Sequence, residues 1–220
     1  MGLFSKLFSS RKKTRGTRRQ DRELRSQFVQ QRRCAFEAME PRRMLSANPL
    51  VLGAVFVEED LGSDLHGDRF EVTFRGGAPE TELTRLIING DRGTPGFGLG
   101  DLFFDTAPTG LGGDHSAGFA VEQLITQNPG ARVEAHVTDG ESLLVLDLHG
   151  FQAGDKLVFS IDVDEVEYYD PNETDLEIIN EGFDPITSGV EFQGSELTAQ
   201  FTAPHYQDVA GSGTFWNRYD

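Results

Sequence analysis

Arg69-Phe70-Glu71-Val72-Thr73-Phe74-Arg75 changes from polar to apolar and back at every residue. Successive side chains of an extended strand point to opposite faces, so this period of two places Phe70, Val72 and Phe74 on one face. The segment reads as a half-buried strand. The same alternation returns where Val133, Ala135 and Val137 interleave with Arg132, Glu134 and His136. It returns where Leu157, Phe159, Ile161 and Val163 interleave with Lys156, Ser160, Asp162 and Asp164, and again where Leu197, Ala199 and Phe201 interleave with Glu196, Gln200 and Thr202. Residues 51–58, 83–89, 101–105 and 119–126 supply further strands. Residues 143–148 are more continuously apolar and predict a strand covered on both faces. Gly, Asp, Asn and Pro gather between these runs, as turns require. Many short strands with turn signals predict an all-β fold, an antiparallel β-sandwich of jelly-roll or Ig-like type. Its predicted core is Phe70, Val72, Phe74, Leu146, Phe159, Ile161, Leu197 and Phe201. Only residues 173–180 read as helical, over the whole stretch or over a single turn within it.

Outside the strands, charge divides the chain. Residues 1–48 carry 13 Lys/Arg against 4 Asp/Glu, a net +9, whereas residues 49–220 carry 7 against 32, a net −25. This predicts two parts: a basic N-terminal arm over 1–48 and an acidic β-sandwich module over 49–220. The second part is long enough to bury a substantial core. Its negative charge repels phosphates and excludes nucleic acid as its partner. The single cysteine, Cys34, lies in the arm, so no intrachain disulfide forms.

The arm begins with Gly2-Leu3-Phe4-Ser5-Lys6-Leu7-Phe8, which Lys6 interrupts before it reaches the length of a signal-peptide core. Lys6 also stands where an N-myristoylation signal needs Ser or Thr. Residues 11–19, RKKTRGTRR, have too few apolar groups to fold alone. Across residues 20–39, Leu24, Phe28, Ala35 and Met39 recur at helical spacing among arginines, and Pro41 stops the pattern. Two readings stand: a basic amphipathic helix suited to an anionic membrane or the export machinery, or a disordered tail.

Phe36-Glu37-Ala38-Met39-Glu40-Pro41-Arg42-Arg43-Met44-Leu45-Ser46-Ala47 straddles the end of the arm. Through Phe36, Glu37, Glu40, Pro41, Arg42, Leu45 and Ser46 it resembles the F-E-x-L-E-P-R-x-L-L-S-A motif near the start of many large surface and exported proteins of planctomycete bacteria. Met39 and Met44 stand where that motif has leucines. The resemblance implies an address, and hence export to the cell surface or beyond.

Chemistry is harder to find. Asp114-His115-Ser116-Ala117-Gly118 lacks the first glycine of a nucleophile elbow. His66, His115, His136, His149 and His205 form neither H-x-x-x-H nor H-E-x-x-H. Nine glycines between Gly90 and Gly118 mark a flexible or functional loop, without the spacing of a phosphate cradle. The clearest ligand signal is acidic. Asp162 and Asp164 project from one strand face, and Glu165, Glu167, Asp170, Glu173 and Asp175 follow. Such carboxylates repel one another unless water disperses them or a hard cation such as calcium neutralises them. The expected metal ligands are Asp162, Asp164 and Asp170; the competing reading is a solvated acidic face. Asp170, Asn172, Thr174 and Glu181 match parts of an EF-hand loop, but Asp175 stands where the loop needs glycine. A smaller acidic group is Asp64-Leu65-His66-Gly67-Asp68.

KLVFSIDVDEVE at 156–167, DPITSGVEF at 184–192, GSELTAQFTAPHY at 194–206 and GAVFVEEDLGSDLHGD at 53–68 together resemble the leading module of planctomycete surface proteins. In those proteins the module precedes repeats similar to the B-type domains of serine-aspartate-repeat adhesins. The resemblance carries no catalytic residues. No such repeat is seen before Asp220, so the expectation is either a fragment or a stand-alone module. It implies a non-enzymatic structural or adhesive module whose partners are other surface or matrix proteins or glycans. Two alternatives remain. A carbohydrate-binding module would draw on Tyr168, Tyr169, Tyr206, Trp216 and Tyr219, and a glycoside hydrolase would use an acidic pair.

Overall fold

The computed structural model describes residues 48–58, 66–93, 96–113, 115–204 and 206–216. The chain divides into two units, Met1–Ser46 and Ala47–Asp220. The predicted arm helix, the motif at 36–47, Asp64, His205 and Tyr219 lie outside the described residues, as does the side chain of Tyr206.

The second unit is all-β. Its strands are β1 (Val51–Val57), β2 (Asp68–Arg75), β3 (Glu82–Asn89), β4 (Leu102–Asp105), β5 (Ala120–Ile125) and β6 (Arg132–His136). They continue as β7 (Leu143–Gln152), β8 (Lys156–Val166), β9 (Phe183–Pro185), β10 (Glu196–Ala203) and β11 (Tyr206–Thr214). A five-residue helix, α1 (Leu176–Asn180), separates β8 from β9. All named pairings are antiparallel. One sheet runs β1-β2-β8-β4, with β5 and β9 also paired to β8; the other runs β11-β10-β3-β7-β6.

Phe70, Val72 and Phe74 of β2 are buried and face the second sheet, as their alternation predicts. The Phe74 ring meets Phe201 of β10 at 5.4 Å and Phe151 of β7 at 6.2 Å, which joins the two layers. Phe70 stacks on Phe159 of β8 at 4.8 Å with the rings 5° from parallel. Leu146, Ile161 and Phe201 are buried with them, while Leu197 packs against the core only partly buried.

The doubly covered strand is β8 rather than β7. In β7 only Leu144, Leu146, Leu148 and Phe151 are buried, and Leu143 is exposed. In β8 the inward Leu157, Phe159, Ile161 and Val163 are buried, and so are Val158, Asp162, Asp164 and Val166. The helix is also shorter than the predicted 173–180. Glu173 instead accepts bonds from the Thr174 and Asp175 backbone N–H groups, and Asp175 becomes the N-cap of α1 by accepting from Glu177 N at 3.1 Å.

Candidate metal centre

The pairing of β4 with β8 sets Phe103 opposite Asp164 and Asp105 opposite Asp162. Phe104 and Val163 turn into the core, so the alternation sends Asp105, Asp162 and Asp164 to the outer face of the sheet. They are nevertheless buried, at 0 %, 2 % and 3 % exposure. The cover is the glycine-rich segment between β4 and β5. It returns across the sheet, and Ala117 O accepts from Asp162 N at 2.9 Å.

Several contacts fix this cover. Asp139 accepts from Thr106 N at 2.8 Å and from Thr106 Oγ1 at 3.2 Å, while Asp105 Oδ1 accepts from Ala107 N at 3.2 Å. The α1 helix contributes Asn180. Its Oδ1 accepts from Gly112 N at 3.3 Å, and its Nδ2 donates to Gly110 O at 3.3 Å. Gly112 has φ +103°, a conformation that side-chain-bearing residues rarely adopt. A Cβ there would overlap Asp105 Oδ2 and lie 2.6 Å from Asp164 Oδ2. Two carboxylate oxygens from different strands therefore converge on one glycine, to whose N–H a carboxamide oxygen also binds.

Upstream, the same glycine-rich stretch is tied down as firmly. The Asp101 carboxylate accepts from Arg92 N and Gly98 N, each at 2.8 Å. Gly90 is required by close approach, since a Cβ would lie 2.5 Å from Leu102 O. Arg92 Nη1 donates to Gln193 O at 3.1 Å, and Arg92 Nη2 stands 3.8 Å from Glu165 Oε1. Burial raises the Glu165 pKa; Arg92 opposes that shift, and Glu191, Glu167 and Asp184 add to it.

Sequence reasoning named Asp162 and Asp164, which the fold buries side by side. Asp170 is placed differently. Its exposed carboxylate accepts from Asn172 N at 2.9 Å and Nδ2 at 3.0 Å, which lowers its pKa. It caps its own turn, and the helix that begins at Leu176 breaks the EF-hand reading of this stretch. Asp105, Gly112 and Asn180 were missed. Asp105 closes the short apolar strand Leu102-Phe103-Phe104-Asp105 just before the glycines, and that juxtaposition was the available signal. Among the described residues no group of three or more His, Cys, Asp or Glu side chains is gathered closely enough to hold a metal ion. Oxygens of Asp105 and Asp164 both lie close to Gly112, whose N–H is bound by the Asn180 carboxamide. Oxygen donors suit a hard cation, but a Cβ at Gly112 would crowd both carboxylates, so the glycine backbone already occupies the gap between them.

Other candidates are dispersed. His136 Nε2 lies 3.1 Å from Asp147 Oδ2, and His149 Nε2 lies 3.7 Å from Glu134 Oε1, both on the outward face of β6 and β7. Ser116 lies in an irregular segment leading to β5, without the strand–turn–helix setting of a nucleophile elbow. Tyr169 packs edge-on to Phe97 at 5.4 Å, whereas Trp216 follows Phe215, whose ring packs on Phe192 at 4.9 Å. These aromatics therefore belong to separate clusters. No protein-family model, curated protein or solved structure matches the chain.

Proposed function

We propose that residues 49–220 form a non-enzymatic structural or adhesive module of an exported cell-surface or matrix protein. The observation that carries this reading is the sealing of Asp105, Asp162 and Asp164 beneath the segment that follows β4. A hydrolytic pair must reach a substrate in an open cleft. These carboxylates instead lie beneath that segment, which is bound by the Asp105 carboxylate at Ala107 N and by the Asp162 backbone N–H at Ala117 O. Export is supported by the charge break and by the motif at 36–47.

Calcium is the proposed stiffening ion. Asp105, Asp162 and Asp164 would have to draw closer together to hold it, and the ion would then offset the repulsion of buried carboxylates. Binding to the folded form alone stabilises it by about 2.7 kcal/mol at one hundred times the dissociation constant.

The test is thermal unfolding in EDTA and in calcium on the order of 10 mM, above the affinity range of many extracellular modules. The Asp162→Asn/Asp164→Asn variant is measured alongside. Calcium should raise the midpoint of the parent and not of the variant. An equal shift in both, or none in the parent, would reduce the cluster to a structural acidic layer.

A further inference from the structure

We propose that the cleft between the β5–β6 loop and the β7–β8 turn binds a neutral oligosaccharide. The proposal rests on the adhesive side of the reading above and names a partner class for it. The cleft holds about 390 Å³, and its lining includes Ile125, Thr126, Gln127, Gln152 and Asp155. That volume lies in the range of small-molecule sites.

Asp155 is the residue that points to a ligand. It is only 7 % exposed, yet it lines the cleft. Its Oδ2 accepts from Gln152 N at 2.7 Å and from Thr126 Oγ1 at 3.0 Å. Among the described residues no hydrogen bond reaches its Oδ1. A buried carboxylate oxygen without a donor is costly, so the donor must come from the cleft. Thr126 Oγ1 in turn accepts from Asn128 N at 3.0 Å, which fixes the floor of the site by internal bonds.

The walls select the ligand. Gln127 is exposed, and Gln152 uses its Nε2 on Glu82 Oε1 at 3.3 Å, which leaves its carbonyl oxygen to accept. A carboxamide both donates and accepts. A sugar hydroxyl matches both roles and also donates to Asp155. An ammonium only donates, so it leaves the Gln127 amide N–H groups unmatched. Ile125, 49 % exposed, offers apolar surface to the C–H face of a sugar ring. Asp155 and Glu82 repel an anionic sugar.

Strand register extends the site. Gln152 of β7 stands opposite Glu82 of β3, which stands opposite Thr202 of β10. All three also line a neighbouring cleft of about 430 Å³, which Pro204 borders. Two clefts that share Gln152 suit a chain of sugar units better than a single one.

The probes are maltotriose, cellotriose and mannotriose, each titrated into the ¹⁵N-labelled full chain and followed by amide NMR. Saturable movement of the amides at 126–128 and 152–155 with at least one of them is the expected result. Trigalacturonate and spermidine should not bind there. Ala153→Phe, at an exposed turn position, should keep the native circular dichroism and abolish binding by filling the cleft. Gln127→Ala, also exposed, should weaken it about 5-fold through loss of a hydrogen bond. No movement with any neutral trisaccharide overturns the proposal. So does equal binding of trigalacturonate, spermidine as the sole ligand, or unchanged affinity in both variants. The calcium test is read without sugar, so failure here leaves the stiffening ion and the structural role standing.

Discussion

Replacing Phe159 by alanine tests the core at the point where the sheet is most completely covered. The ring is fully buried at the centre of β8, stacked on Phe70 at 4.8 Å and tilted against Phe119 at 5.2 Å. Truncating a buried phenylalanine costs about 3–5 kcal/mol, from lost transfer energy and from the cavity left behind. Aromatic pairing contributes about 0.5–1.5 kcal/mol beyond burial, and β8 is held by partners on both sides, so the upper half of the range is expected. For a domain of this size each kcal/mol moves the midpoint by about 2–4 °C, giving a fall of about 8–20 °C. Urea unfolding followed by circular dichroism measures the free-energy loss, with a lower urea midpoint and an unchanged slope expected, and a thermal scan measures the fall in temperature. Val121→Ala on the exposed face of β5 is the control, with an effect within about 0.5 kcal/mol. A loss below about 1 kcal/mol for Phe159→Ala would mean that the inward face of β8 is misassigned and that its partners are not packed as described.

Gly112→Ala and Gly154→Ala share a left-handed backbone, at φ +103° and +99°, but a Cβ meets the Asp105 and Asp164 carboxylates only at Gly112. Both substitutions carry backbone strain of about 1–3 kcal/mol. Gly112→Ala should exceed Gly154→Ala in chemical denaturation and should also abolish any calcium-dependent rise in midpoint; equal losses would remove Gly112 from the candidate centre. The raised Glu165 pKa means that the folded state holds this proton more tightly than the unfolded chain does. Its contribution to stability therefore falls as pH rises from the unfolded value of 4.5 through the higher folded value, and returns on acidification. Glu165→Gln should flatten that part of the stability–pH curve, and an unchanged curve would contradict the assignment.

Periodicity carried most of the fold. Strict alternation at Phe70, Val72 and Phe74 determined which side of β2 is buried, because a strand has only two faces and one of them needs an apolar partner. The turn residues marked where strands end. The same signal was weaker at β9 and β11, where Phe183-Asp184-Pro185 is too short to show a period and β11 has two glycines where apolar side chains would mark its inner face. It misjudged β7 and β8, since cover on the outer face comes from a segment remote in sequence. The acidic pair Asp162 and Asp164 was visible in the chain, but Asp105 and Asn180 were not. Neither has meaning until β4 pairs with β8 and the intervening loop folds back over both. Sequence alone set the strands and their faces through local alternation. The burial of three carboxylates beneath one loop depends on contacts between residues up to 70 positions apart, and only the tertiary structure decided it.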